Sequence, residues 1–520
     1  MKKIIYLLLA ICCLICPATL YAFDYYDFMV DGIAYNVNND GASVSVTFTS
    51  CDNNYSNNYP RLDGTVFIPD SVRYSSNKTY VVTSIGHGAF NNCTRLKDVK
   101  IPNSVTFVGD YAFYNTEWLN NQFNVLVYAG LVAYQYKNRD IIMPEGKIVT
   151  VRDGTLGISP SCFSGHDELY GVNLPNSIIA IGGGAFDDCT NLKSIVIPSS
   201  VTSMGKCFNR CTNLTSVTWN AKRISGNIIN PEGSPFNRLR GIKTFIFGNE
   251  VKDVPNFLCY DLQNLNDIAI PNSVISIGYG AFERTGWYFK QPNGALYLDN
   301  WLICYKGTKP SGSVTIREGT RGIVGGTFRN CPGLTGVIIP NSVISIGRNA
   351  FSECIALTDV TIPPSVTYIG DSAFKDCDAI TCITIPGTVR YIGEMAFRDC
   401  DELTDIYSYI KDFDSVELGW SGVFSCRNRR YTLHVPKGTW QSYFNRLSKY
   451  SMKIIDDLDV PLPSGDVNGD GRVNVSDVTA LVNMILGVVP KDEDSADVNG
   501  DGKVNVSDVT ALINIILGIP

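Results

Sequence analysis

Between residues 65 and 440 the apolar positions return with a period of twenty-three. Phe328, Phe351, Phe374 and Phe397 are each 23 residues apart, and so are Pro340, Pro363 and Pro386. One unit reads LTDVTIPPSVTYIGDSAFKDC, from Leu357 to Cys377. Val360 and Ile362 alternate with polar residues after Leu357, which predicts a short half-buried strand. Proline then stops it, because proline cannot donate to a strand ladder. Val366 and Ile369 form a second apolar stretch, followed by glycine and an Ala-Phe pair. A unit this short cannot bury its apolar side alone, whereas stacked units cover one another. The pattern therefore predicts a mainly β fold, a right-handed solenoid of short parallel strands. Roughly fifteen coils, ~4.8 Å apart, fit the repetitive stretch. Weaker units are expected around Phe163, Phe236, Phe257 and Phe424.

The recurring "IPNSV…IG…AF..C" skeleton resembles the BspA-like leucine-rich repeat surface proteins of bacteria, over about residues 65–440. Two segments depart from it, NTEWLNNQFNVLVYAGLVAYQYK and RTGWYFKQPNGALYLDNWLICYKG, yet match each other, with Trp118 and Trp287 each five residues after a repeat phenylalanine. They look like that family's variant coils with an inserted hairpin. Upstream, YDFMVDGIAYNVNNDGASVSVTF alternates in period two across NNDG and predicts a hairpin capping the first coil. YTLHVPKGTWQSYFNRL is the expected cap at the other end.

The periodicity changes after residue 465. DVNGDGRVNVSDVTALVNMILG (466–487) and DVNGDGKVNVSDVTALINIILG (497–518) are near-copies. Each opens with a twelve-residue loop. In the first, Asp466, Asn468, Asp470, Asn474 and Asp477 stand at positions 1, 3, 5, 9 and 12, with Arg472 at position 7 offering its carbonyl. Asp497, Asn499, Asp501, Lys503, Asn505 and Asp508 repeat the set. This is the spacing by which an EF-hand loop wraps oxygens round Ca²⁺, with glycine at position 6 for the sharp turn, and it predicts two calcium ions. Position 12 is Asp where Glu is usual. Val478, Leu481, Val482, Ile485 and Leu486 then form one helical stripe, which Val509, Leu512, Ile513, Ile516 and Leu517 repeat. Two prolines before the first loop argue against the entering helix of a true EF-hand. The pair resembles a type I dockerin module, a small α-helical unit. That resemblance implies docking to a cohesin-domain protein, with loop positions 10 and 11, here Val475, Ser476, Val506 and Ser507, against the partner.

Charge sharpens this division. Residues 464–520 carry nine acids against three bases, so most of the net charge of −7 lies there. No basic field for nucleic acid exists. The start MKKIIYLLLAICCLICPATLYA reads as a secretory signal peptide cut after Ala22, and no later run predicts a transmembrane segment. The expected order is signal peptide 1–22, hairpin cap 23–64, solenoid with its C-terminal cap 65–455, linker 456–465 and calcium module 466–520. The expected location is extracellular, at a bacterial cell surface.

Cys93, Cys189, Cys211, Cys331, Cys354, Cys377 and Cys400 each follow a repeat phenylalanine by three residues. Equivalent positions stack, so a buried thiol ladder is expected, although export alone would favour disulfides. His87, His166 and His434 read as surface or turn residues, and no catalytic motif accompanies them. Glu353, Asp376 and Asp399 form a carboxylate column about one coil apart, near the separation of a retaining glycosidase pair. A turn edge offers no pocket, and Lys375 and Arg398 stand beside it, so a solvated column is the preferred reading. The function expected is non-catalytic: adhesion or capture of a protein or glycan ligand, which is what the family resemblance implies. The alternative is a polysaccharide hydrolase or lyase, or an accessory subunit of a cellulosome-like complex.

Overall fold

The computed structural model describes residues 26–48, 64–74, 78–137, 147–224, 228, 230–419, 422–425, 431–448, 452–458, 467, 475–486, 496, 498 and 503–517. The signal-peptide reading of residues 1–22 therefore lies outside the described residues. The fold is a solenoid of about 15 turns. The chain divides into two compact units, Met1–Val274 with Ala281–Lys290, and Ile275–Gly280 with Gln291–Pro520.

In the first unit, strands Ile33–Val37 and Ser43–Thr47 pair antiparallel across the NNDG turn, and the second pairs parallel with Lys78–Ile85. Five strands then form one parallel sheet in chain order: β1 (Lys147–Thr150), β2 (Leu169–Asn173), β3 (Ser194–Ile197), β4 (Ser216–Trp219) and β5 (Thr244–Phe247). The second apolar stretch of each repeat makes a two-residue strand in a second sheet, as at Gly157–Ile158, Ala180–Ile181 and Ser203–Met204. The departing segment contributes a hairpin, Leu126–Ala129 with Val132–Tyr136. The second unit repeats the plan, with a hairpin of Gly294–Leu298 and Trp301–Lys306 heading the column Gly322–Ile323, Ser345–Ile346, Tyr368–Ile369 and Tyr391–Ile392.

The repeat residues earn their places through contact with the coil before them. Phe328, Phe351, Phe374, Phe397 and Phe424 stack with ring centroids 5.2–5.7 Å apart and planes within 11°. Phe163, Phe186, Phe208 and Phe236 do the same in the first unit. The glycine of "IG" is required by approach: a Cβ at Gly370 would lie 2.5 Å from the Arg348 nitrogen, and one at Gly393 2.2 Å from that of Asp371. The hydroxyls of Ser342, Ser365 and Thr388 donate to the carbonyls of Thr320, Val343 and Val366 in the preceding coil. The thiols of Cys354, Cys377 and Cys400 donate to the carbonyls of Phe328, Phe351 and Phe374, each at 3.1 Å. The cysteine column is buried throughout, as expected. Burial pushes the Cys377 thiol up to about 12, so its reactive thiolate is suppressed. One unit is registered differently from its sequence reading. Phe257 takes a left-handed turn position (φ 54°), and Cys259 fills the aromatic column, its N–H donating to Ala281 O as Phe328 N–H does to Ala350 O.

The C-terminal cap is a strand–helix–strand unit. Strands β6 (Cys382–Ile385), β7 (Asp405–Ser408), β8 (Thr432–Pro436) and β9 (Lys453–Leu458) form a parallel sheet, and helix α1 (Trp440–Leu447) links the last two. Tyr443 of α1 shares a hydrogen bond with Ser408 Oγ (2.6 Å) and donates one to Ile410 O (2.9 Å), tying the cap to the last coils. His434 is on strand β8, not in a turn. Its Nδ1 lies 2.8 Å from Asp457 and its Nε2 3.1 Å from Asp405, and the ring stacks on Tyr407 at 4.6 Å. It thus bridges three strands. Burial opposes the charged imidazolium, but the hydrogen bonds with Asp457 and Asp405 outweigh it and raise the His434 pKa above its ordinary 6.5.

Three outcomes follow from this packing. Phe374→Ala should cost about 3–5 kcal/mol in urea unfolding, since it opens a cavity between two stacked rings. Alkylation of the native protein should mark the exposed Cys382 and spare Cys354 and Cys377, which label only after denaturation without reductant; a Cys331–Cys354 or Cys377–Cys400 disulfide would contradict the ladder. The folded-state pKa of His434 is raised, so its contribution is fully present below pH 6.5 and lost as pH rises through the folded value. Thermal unfolding followed by fluorescence of Trp440, which stacks on Phe444 in α1, should show the cap weakening over that window, and His434→Gln should flatten the response.

Candidate metal centre

Helices α2 (Val475–Ile485) and α3 (Val506–Leu517) arise from the two apolar stripes. Leu481 and Leu512 are fully buried beside Val467 and Ala496, and Val478, Met484, Ile485, Val509 and Ile516 pack round them. Among the described residues this core is small, of the kind that small modules back with a metal, a disulfide or a partner.

The informative residues are Asp477 and Asp508. Each stands in the first turn of its helix, where the helix dipole favours negative charge, and each has 0% exposure. A buried carboxylate is expensive unless it is paired, hydrogen-bonded or bound to a metal. Asp508 Oδ2 accepts the Asn505 N–H at 2.8 Å. Asn505 Oδ1 in turn accepts from the N–H and hydroxyl of Ser507, both at 2.9 Å. Loop positions 9 and 12 are thereby locked to the head of the helix, which aims the position-12 carboxylate inward. Asp477 is buried at the same point of the first copy. Both positions fit a hard cation with oxygen ligands. The Lys503 side chain is exposed, as suits a residue offering only its carbonyl. Val506 is 69% exposed and Ser507 is exposed on the first turn of α3. Val475 and Ser476 begin α2, and their side chains lie outside the described residues, as do Asp466, Asn468, Asp470, Arg472, Asn474, Asp497, Asn499 and Asp501.

The carboxylate column of the solenoid has a different character. Glu353, Asp376 and Asp399 adopt φ of 63°, 55° and 57°, the left-handed turn position two residues after each phenylalanine. Among non-glycine residues Asp and Asn tolerate that conformation best, which accounts for two of the three acids. Each pairs with a cation: Glu353 with Arg329 at 2.9 Å, Asp376 with Lys375, and Asp399 with Arg398 at 3.2 Å. In the first unit Asp261 stands at the same turn position and receives Arg240 at 2.9 Å and Arg284 at 3.1 Å. The sequence reading missed the Asp405–His434–Asp457 bridge. Its one signal was the alternation of YTLHV, which puts His434 on an outward strand position, with Asp457 twenty-three residues on.

The model of the BspA type leucine-rich repeat region matches in six copies over residues 71–144, 156–286 and 304–417, more than half of the chain. That of the dockerin type I domain matches residues 464–517. Among solved structures, a leucine-rich repeat protein from Bacteroides ovatus aligns at 21% identity over 83% of this chain and 100% of its own, with a TM-score of 0.24. A leucine-rich cell surface protein from Faecalibacterium prausnitzii aligns at 22% identity over 73% of this chain and 94% of its own, with a TM-score of 0.22. The pneumococcal vaccine antigen PcpA aligns at 15% identity over 83% and 98%, with a TM-score of 0.27. No curated protein matches. The chain belongs to the BspA type leucine-rich repeat family and carries a type I dockerin domain after its repeats.

Proposed function

We propose that this is an exported, non-catalytic binding protein whose solenoid presents a ligand surface and whose calcium-loaded module docks it to a cohesin-type partner. The observation that carries the reading is the buried position-12 carboxylate at the head of each helix, Asp477 and Asp508, in a module whose described residues form a small core. Two calcium ions would be held by Asp466, Asn468, Asp470, the Arg472 carbonyl, Asn474 and Asp477, and by Asp497, Asn499, Asp501, the Lys503 carbonyl, Asn505 and Asp508. Bound calcium supplies no chemistry beyond charge and cross-linking: it neutralises three carboxylates per loop and ties the loop's ends together. Val475, Ser476, Val506 and Ser507 form the proposed contact with the partner, and the exposure of Val506 supports that role. The signal peptide, residues 1–22, directs export, and residues 456–465 link solenoid and module.

The ion pairing of Glu353, Asp376 and Asp399 argues against the hydrolase or lyase alternative, because a general acid or nucleophile held by its own cation is poorly placed to serve a substrate. Adhesion to, or capture of, a protein or glycan remains the role proposed for the solenoid.

Circular dichroism of residues 464–520 should show helicity lost in excess EGTA and restored by millimolar Ca²⁺, because the metal binds the folded state far better than the unfolded one. Asp477→Ala and Asp508→Ala should each lower the melting temperature of the whole module, since both helices share one core. Equal helicity with chelator and with calcium would sink the reading. Pull-down from extracellular fractions should retain a cohesin-type partner in calcium and release it in EGTA.

A further inference from the structure

The outer face of the β1–β5 sheet has an unusual chemistry. One outward row is Ile148, Gly171, Ser194, Ser216 and Thr244, in unbroken register across all five strands. The second row contains Val196, Thr218 and Ile246, again in register, with Asn173 beside Thr150. Not one of these residues is charged. Ile148, Val196 and Ile246 are 62%, 50% and 53% exposed, so large aliphatic groups stand in solvent among hydroxyls. Lys147, at the start of β1, turns its ammonium to the Tyr136 ring, 5.0 Å from the centroid.

The fold does not demand this neutrality. Strand Leu96–Lys100 carries the half-buried Asp98 and the exposed Lys100, and in the second unit strands carry the exposed Asp359 and the half-buried Asp405. Charged side chains are seldom buried, so outward strand positions are open to them, yet the two outward rows of these five strands hold none. The rows are also ordered in advance. Asn173 Nδ2 donates to Thr150 Oγ1 at 3.2 Å, the Ile148 side chain leans over Gly171, and the Thr, Val and Ile side chains are stiff at χ1.

We propose that this face binds a neutral, unbranched polysaccharide chain lying across the strands, an inference that rests on the solenoid being a ligand surface. Three observations select that occupant. An acidic glycan would need cations within these rows, and none stands there; the nearest are the exposed Lys193 and Lys243, one residue before Ser194 and Thr244, and Lys193 is turned onto the Tyr170 ring, 4.8 Å from its centroid. The face spans four strand spacings of ~4.8 Å and two outward positions roughly 7 Å apart, on the order of 200 Å², well below the ~800 Å² per partner of a stable protein interface. A narrow ribbon of sugars needs no more. Threonine and serine hydroxyls at one-coil intervals can exchange hydrogen bonds with ring hydroxyls, while Ile148, Val196 and Ile246 cover the apolar C–H faces. Pre-ordered side chains lower the entropy lost on binding.

The test uses the full chain in calcium, mixed with insoluble glucan, mannan and xylan, with immobilised polygalacturonate as the acidic control and immobilised extracellular-matrix protein as the protein control. The expected result is retention on at least one neutral polysaccharide, unchanged when ionic strength is raised to about 1 M, where screening acts beyond ~3 Å. Thr218→Lys and Ile246→Lys, both on the outer face, should weaken retention roughly tenfold or more, with the urea midpoint unmoved. Retention on a neutral polysaccharide that neither variant alters would overturn the assignment of this face and leave the binding role standing. Retention on polygalacturonate or the matrix protein alone would overturn the ligand class. Retention on nothing would count against both the inference and the binding role.

Discussion

Every coil must set its atoms one strand spacing from the equivalent atoms of the next, and the rest of the structure depends on that constraint. A residue in such a stack is judged first by whether it tolerates its own copy as a neighbour. Phenylalanine does, because flat rings offset-stack in parallel, as Phe328 through Phe424 do. Glycine at 370 and 393 does because anything larger would strike the backbone of the preceding coil. Cysteine does because its small thiol can be buried and still donate to the carbonyl one coil back. Charge tolerates it poorly, and the acids of the turn column each take up a cation.

The same constraint separates the faces by chemistry. Inward positions are apolar and nearly invariant in type, since each must fill one coil's share of a continuous core. The turn positions are set by backbone conformation, which explains Asn330, Asp376 and Asp399 in left-handed φ without any appeal to function. Outward strand positions are bound by neither requirement. They are where the chain is free to differ from repeat to repeat, and the neutral rows of β1–β5 and the Asp405–His434–Asp457 bridge of the cap both lie there.

The dockerin domain works on the opposite principle. The solenoid gains stability by adding coils, whereas the described residues of the module centre on helices α2 and α3 and a core around Leu481 and Leu512. A carboxylate buried at the head of each helix suits a cation with oxygen ligands, and folding and cation binding are proposed to be one event. Stability supplied by a dissociable ion can be withdrawn, and on the proposed function docking would then depend on calcium.

The sequence by itself determined the solenoid, its 23-residue step, the hairpin-bearing coils and the family, because each residue of a repeat meets its own copy and periodicity alone then fixes the neighbours. It also determined the pair of helical stripes and the positions of Asp477 and Asp508, because near-identical copies fix their own register. The tertiary structure decided what periodicity could not. It placed Cys259 rather than Phe257 in the aromatic column, since left-handed turn residues set the register there and not the aromatic side chain. It put His434 between two carboxylates from neighbouring strands, where the sequence had suggested a surface or turn residue, because that bridge needs the cap strands to pair. It also brought the neutral positions of five repeats onto one face, a property of the stacked sheet that belongs to no single repeat.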